Sequence, residues 1–176
     1  MEGRGLEALL QAVAQVPEAI LVMLGEGPLG PCLKDLGREL KIEERLHLPG
    51  KVPWRDLLRY TRDASIGVVL TQRTCLNHYY SLPNKLFEYL MAGVPVIASD
   101  FPDIRGIIQE AQAGLVVGPD NPQEIADALR LLLSDPEGLR AMSRRARAAA
   151  ETKFNWALES KALLAVYDGQ ALKRRS

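Results

Sequence analysis

Asn84, Lys85 and Glu88 stand at i, i+1 and i+4 within the segment Tyr80-Ser-Leu-Pro-Asn-Lys-Leu-Phe-Glu-Tyr-Leu-Met-Ala-Gly-Val-Pro-Val-Ile-Ala-Ser99. On a helix that spacing places an amide, an ammonium and a carboxylate on neighbouring parts of one surface. Pro83 suits the first helical position, where its missing N–H costs nothing. A cation beside a helix N-terminus favours an anion there, adding to the helix dipole. A carboxylate one turn later can accept two hydrogen bonds from vicinal hydroxyls. Together these groups could hold a diphosphate and a ribose. The same spacing also fits a surface ion pair between Lys85 and Glu88, and spacing alone does not separate the two readings.

The rest of the segment explains how such a face would be held. Leu86, Phe87, Leu90 and Met91 form the apolar side of the helix. Gly93 fits the left-handed position that ends a helix, and Pro95 prevents continuation. Val94 to Ala98 then reads as a buried strand. Ahead of the helix, the loop from Thr71 to Leu82 is long for a strand-to-helix connection, as functional loops often are. It carries Thr74, Asn77, His78, Tyr79, Tyr80 and Ser81. His78, standing alone, reads more simply as a loop residue than as a catalyst. The two tyrosines read more simply as packing residues. No nucleophile–His pair, metal-ligand spacing or P-loop is legible.

Apolar runs and helical periods alternate along the chain. Helices are expected at Gly5 to Val16, Leu33 to Leu40, from Pro53 with Trp54, Leu57 and Leu58 inward, and at Asp103 to Glu110. Strands are expected at Ala19 to Leu24, Arg45 to Pro49, Ala64 to Leu70, Val94 to Ala98 and Gly114 to Gly118. Asn121-Pro-Gln-Glu124 resembles a capping box opening a further helix. Others begin at Asp135-Pro136 and Asn155-Trp156. Short apolar strands alternating with helices predict an α/β fold, a mainly parallel sheet with helices on both faces. Ligands of such sheets bind beyond the carboxyl ends of the strands. Polar or glycine-rich turns follow the strands at 25–27, 50–52, 71–73, 99–100 and 118–120.

The 176 residues predict a single domain, 1–176, with 156–176 as a closing helix and tail. Apolar residues make up 47% and charged residues 25%, so the chain should be globular. Lys+Arg and Asp+Glu both number 22, and a net charge of zero gives no whole-chain attraction to nucleic acid. Cys32 and Cys75 lack metal-ligand spacing and favour a reduced, cytoplasmic setting. No secretory signal or membrane-spanning run is expected. Arg140, Arg144 and Arg147 line one side of a helix. They raise peripheral contact with an anionic membrane, though a solvated face is the simpler reading. Lys173 to Arg175 reads as a frayed end.

The segment Ser81 to Asp100 resembles the signature of group 1 glycosyl transferases (glycosyltransferase family 4). The likeness continues through Gly114 to Gly118, Asn121 to Leu129, Phe154 to Trp156, Arg4 to Ala12 and Leu48 to Leu57. What the resemblance implies is a GT-B architecture, two Rossmann-like halves around a cleft, with this chain as the C-terminal, donor-binding half. It implies a nucleotide-diphosphate sugar, uridine-based, as the donor and needs no cofactor or metal. By resemblance Glu88, the second glutamate of a Glu-x7-Glu pattern, holds the ribose. Leu82 to Leu86, with Pro83, Asn84 and Lys85 among them, faces the phosphates and sugar, and Ser81 and Tyr80 are counted with the donor-binding residues. The turn from Gly50 to Val52, with Lys51 and Val52 as its donor-binding residues, contacts the base, and Arg4 reaches the diphosphate. The first glutamate of the pattern would fall at Tyr80, so contacts to the sugar must differ here.

The resemblance also implies a separate N-terminal half carrying the acceptor site. It implies a first strand, central in the usual order, ahead of the first helix. Without that strand the sheet would have a gap at its centre. The closing helix would expose an apolar side. On this reading the chain is a domain of a retaining glycosyltransferase acting on a glycan or lipid-linked acceptor, inactive when isolated. Two alternatives use the same residues: a domain of a nucleotide-sugar 2-epimerase, and a doubly wound module for protein association.

Overall fold

A computed structural model describes residues 3–167. Among them the chain alternates between helices and five short strands, and all strand pairings are parallel. The helix α1 (Leu6–Ala14) buries Leu9, Leu10 and Val13, as its period predicts. Then follow β1 (Leu21–Leu24), α2 (Gly30–Glu39), a 3-10 turn (Glu43–Arg45) and β2 (Leu46–Gly50). Arg45 Nη1 donates to the carbonyls of Val13 (3.2 Å), Val16 (2.9 Å) and Ala19 (2.8 Å). One cation thus satisfies the end of α1 and ties it to the start of β2.

The second half contains α3 (Trp54–Arg62), β3 (Gly67–Val69), α4 (Leu76–Tyr80), α5 (Asn84–Ala92), β4 (Val96–Ser99), α6 (Pro102–Ala111) and β5 (Gly114–Val117). Three helices close it: α7 (Pro122–Ser134), α8 (Pro136–Thr152) and α9 (Trp156–Tyr167). The predicted α/β class holds, and the single sheet expected is corrected to two parallel sheets, β1-β2 and β3-β4-β5, separated at the central gap that the resemblance implied. One apolar cluster reaches both sheets: Leu10, Val16, Leu21, Leu70, Ile97, Ile125 and Leu129 belong to it.

Two further expectations are corrected. The run Ala19 to Leu24 is not a fully buried strand: Leu21 is buried, while Ile20 and Val22 are 66% and 54% exposed. Trp54 and Leu58 do not point inward; they are 80% and 48% exposed. The main packing partner of α3 is α5, so no sheet surface covers the apolar side of α3. The closing helix α9 does expose Trp156, Leu164 and Tyr167, as the resemblance implied. Residues 168–176, including Lys173 to Arg175, lie outside the described residues.

The start of α7 is built as its sequence indicates. Asn121 Oδ1 accepts from the amides of Gln123 (3.1 Å) and Glu124 (3.3 Å). Glu124 departs from the standard box: it accepts from Asn121 Nδ2 (2.7 Å) and from the Gly118 amide (2.7 Å). The cap therefore also fastens the loop after β5. Asn121→Ala should cost about 1–2 kcal/mol in urea unfolding, with Asn121→Ser recovering part of the loss, since a serine hydroxyl also accepts at the N-cap. Equal loss in both variants would mean the side-chain oxygen is not the capping group. On α8, Arg140 pairs with Glu137, and Arg147 pairs with Glu151, so two of the three arginines serve ion pairs. That favours the solvated-face reading of this helix over a membrane surface.

Candidate functional site

Helix α5 is seated by its apolar side. Leu86 and Leu90 are fully buried. Leu86 belongs to the cluster of Val69, Val96, Ala98, Phe101 and Ile104. Leu90 meets Ala146 and Ala150 of α8, with Phe87 and Met91 packed against them. Tyr89 lies over β3 so closely that a Cβ on Gly67 would stand 2.5 Å from its ring. Burial pushes the Tyr89 phenol above its usual range; backbone hydrogen bonding at Val68 opposes that, and the nearby Glu88 charge adds to it. At the far end Gly93 adopts φ 72°, the predicted left-handed stop, and Ser143 Oγ donates to its carbonyl (2.6 Å). Arg147 donates to the Met91 carbonyl.

This seating leaves Asn84, Lys85 and Glu88 together on the exposed side of α5. The sequence periodicity foresaw that face. No ion pair joins Lys85 to Glu88 among the described residues, and neither side chain enters any of the six ion pairs found there. The surface-pair reading therefore loses its structural basis. Pro83 is one residue earlier than expected. It is the N-cap, extended at φ −72° and ψ 136°, and Asn84 is the first helical residue. A proline N-cap has no side-chain acceptor, and no side-chain hydrogen bond caps this helix. The amides of Asn84 and Lys85 have no acceptor inside the helix, as for any first turn. The Leu86 amide already donates to the Pro83 carbonyl (3.0 Å). Leu86 therefore offers a ligand neither side chain nor amide; its place is the core beneath the site.

The Thr71 to Leu82 loop contains a short helix, α4, which was expected as irregular chain. Tyr79 is its anchor. Its ring packs at 5.0 Å from Phe101 and edge-on at 4.8 Å from Tyr80, under the Arg73 guanidinium at 4.6 Å. Tyr80 ends α4 and is 60% exposed, so it is held from one side and open on the other. Ser81 is half-buried between α4 and α5. His78 Nδ1 lies 2.6 Å from Thr74 Oγ1, which gives this lone histidine a structural partner.

Arg4 lies in a tight turn between Gly3 and Gly5, both at positive φ (81° and 59°). A Cβ at Gly5 would meet Leu70 Cβ at 2.8 Å and the Pro119 carbonyl at 3.1 Å; one at Gly3 would meet Thr74 Cγ2 at 3.0 Å. The turn is therefore wedged between the loops that follow β3 and β5. Gln72 joins the same place: its amide donates to the Gly3 carbonyl (3.0 Å), and its side chain donates to Asp120. Lys51 and Val52 follow β2 in the other sheet. They are exposed and half-buried, and no hydrogen bond or ion pair links them to α5 among the described residues.

Residues that the sequence marked only as a polar turn after a strand hold this rim in place. Ser99 is fully buried, and its hydroxyl donates to the carbonyls of Thr71 (2.7 Å) and Val69 (3.3 Å). It locks the carboxyl ends of β3 and β4 together. A polar residue at the end of an apolar strand was the available signal. Asp100 follows it and is held by Arg105 at 2.5 Å.

The geometry defines a class: a parallel α/β domain with a polar rim at the carboxyl ends of its strands, where a helix opens uncapped beside a cation and a carboxylate. The family model "Glycosyl transferases group 1" matches residues 2–149, and the chain belongs to that family. D-inositol 3-phosphate glycosyltransferase of Xylanimonas cellulosilytica is 30% identical over 98% of this chain and 40% of its own length. Alpha-D-kanosaminyltransferase of Streptomyces kanamyceticus is 26% identical over 93% and 42%. The chain thus spans about 40% of the curated relatives it matches. Among solved structures, Anabaena HepE in complex with UDP superimposes with a TM-score of 0.85 at 17% identity, over 96% of this chain and 46% of that one. The C-terminal domain of a group 1 family protein (LpcC) from Francisella tularensis gives 0.76 at 19%, over 89% of this chain and 82% of that one. The fold is accordingly that of a GT-B C-terminal half.

Proposed function

We propose that this chain is the nucleotide-diphosphate-sugar-binding domain of a retaining glycosyltransferase, with a uridine-based donor. The observation that carries the reading is the α5 opening: exposed Asn84, Lys85 and Glu88, no ion pair between the last two, and a helix start without a side-chain cap. In this reading Glu88 accepts from the ribose hydroxyls. The Asn84 and Lys85 amides and the Lys85 ammonium take the diphosphate. As the bond to the sugar breaks, charge grows on the leaving diphosphate, and donors already aimed at it stabilise that change. Arg4 joins them from the glycine turn. Tyr80 and Ser81 face the sugar, and Tyr80 replaces a carboxylate with a phenol at that place.

The acceptor, a hydroxyl of a glycan or lipid-linked molecule, is assigned to the remainder of the full-length enzyme. The isolated chain is then expected to bind donor weakly and transfer nothing. Titration calorimetry with uridine diphosphate tests the site. Glu88→Ala should weaken binding roughly ten- to hundredfold, the loss of hydrogen bonds to a charged group of about 1.5–3 kcal/mol. Equal affinity in both proteins would remove Glu88 from the ribose. Lys85→Ala should weaken binding of uridine diphosphate but leave uridine binding unchanged, since only the phosphates meet the cation.

A further inference from the structure

The loop after β3 holds the residue before Arg4 through Gln72, Thr74 and His78. The Gln72 amide donates to the Gly3 carbonyl (3.0 Å). Thr74 and His78 pack on the same glycine: a Cβ there would stand 3.0 Å from Thr74 Cγ2, 3.2 Å from its hydroxyl and 3.3 Å from His78 Nδ1. His78 follows Thr74 by four residues, so the short helix α4 carries its ring back to that threonine. Arg4 comes next after Gly3, and the donor reading sends its cation to the diphosphate. The imidazole therefore borders that place.

Only one side of the ring is engaged. Nδ1 lies 2.6 Å from Thr74 Oγ1, and Nε2 has no hydrogen-bond partner among the described residues. His78 is half-buried, yet no buried side-chain nitrogen or oxygen among those residues lacks a partner, so Nε2 is open to solvent or a ligand. The threonine hydroxyl can donate to Nδ1 or accept from it. If it donates, the neutral ring carries its hydrogen on Nε2; an imidazolium carries one on both nitrogens. In both states Nε2 donates, which suits an anion. Only the other neutral tautomer would present a bare lone pair. The surrounding charge favours an anion too. Arg4 adjoins the ring, Arg73 of the same loop lies over Tyr79, and the Asp120 carboxylate is engaged by the Gln72 side chain.

We propose that His78 is a further ligand of the donor diphosphate: Nε2–H donates to a phosphate oxygen beside Arg4, and Thr74 positions the ring by holding Nδ1. The proposal rests on the donor reading for the identity of the anion, and is independent of Glu88 and the ribose. It gives His78 a role as a ligand and not as a catalyst, and gives the long loop a part in the site through a residue other than Tyr80 and Ser81.

Asparagine and glutamine divide the ring between them. An asparagine amide lies near the former Nδ1 and can keep the Thr74 contact, whereas a glutamine amide reaches the former Nε2. Calorimetry on the 176-residue chain should show His78→Asn binding uridine diphosphate about tenfold or more weaker than wild type. His78→Gln should recover most of that affinity, and uridine should bind all three proteins equally. Ring nitrogen–proton NMR spectra follow the group directly. Inorganic pyrophosphate should move the His78 resonances and uridine should not, with the exposed His47 of β2 as an internal control. Thr74→Val should alter the His78 tautomer balance and weaken uridine diphosphate binding, and Thr74→Ser should preserve both. Equal affinity in wild type and His78→Asn, no recovery in His78→Gln, or His78 resonances unmoved by pyrophosphate overturns the proposal. Early melting of His78→Asn with parallel loss of uridine binding assigns His78 to the fold alone and overturns it too. Glu88→Ala separates the two readings. If that variant binds uridine diphosphate normally while pyrophosphate still moves His78, the ribose assignment falls and this one stands; weakened binding with an unmoved His78 gives the reverse.

Discussion

Leu86→Ala is expected to destabilise the domain by about 2–5 kcal/mol, the range for deleting a buried leucine side chain. At this chain length that lowers the melting temperature by roughly 5–15 °C. The size follows from where Leu86 sits. Its side chain is fully buried among Val69, Val96, Ala98 and Ile104, below the first turn of α5. Those neighbours come from two strands and a helix whose own pairing fixes them, so the cavity cannot close cheaply. The same substitution should weaken uridine diphosphate binding, because the helix start that presents Asn84 and Lys85 loses its seat. Lys85→Ala separates the two effects. That exposed substitution should change stability by no more than about 0.5 kcal/mol while still weakening binding. Should Leu86→Ala melt with wild type, the described seating of α5 is wrong. Should it melt early but bind normally, the helix start is not the phosphate site.

Gly114→Val is expected to cost about 3 kcal/mol or more, through a different mechanism. Gly114 opens β5 and stands directly opposite Val96 in the parallel ladder. A Cβ there would lie 2.9 Å from the Val96 carbonyl carbon and closer still to its oxygen. These are main-chain atoms of the central strand β4, so no side-chain rotation relieves the overlap. The rung must open, and the loop after β5 that carries Pro119 and Asp120 moves with it. Gly106→Ala supplies the contrast. Gly106 is an exposed residue of α6 with nothing within 4 Å of an added Cβ. Alanine there should stabilise by roughly 0.5–1 kcal/mol, because glycine is the poorer helix former. Urea unfolding of the two variants measures both signs. A Gly114→Val protein as stable as wild type would rule out the β4–β5 register.

The site was legible where its cause is local. Helical period alone put Asn84, Lys85 and Glu88 on one exposed face and Leu86 and Leu90 on the other. Gly93 as the left-handed stop and Asn121 as the cap were legible for the same reason: each bonds within a few residues of itself. Pro83 was misplaced by one position, since a proline is compatible with both the cap and the first turn. Trp54 and Leu58 were assigned inward from their apolar character, which says nothing about whether a partner surface exists. The short helix α4 was hidden because its sequence, Leu-Asn-His-Tyr-Tyr, has no strong helical period.

What the sequence by itself determined is the order of elements, the polar face of α5 and its stops. These follow from hydrogen bonds and side-chain spacing within one turn. What only the tertiary structure decided is which of those groups meet. It packed the Arg4 turn against the loops after β3 and β5, pinned Tyr79 between Arg73 and Phe101, and left Lys85 and Glu88 without an ion pair among the described residues. Each depends on contacts between residues far apart in the chain. Such contacts are set by which apolar faces can be covered together, and no local pattern encodes that.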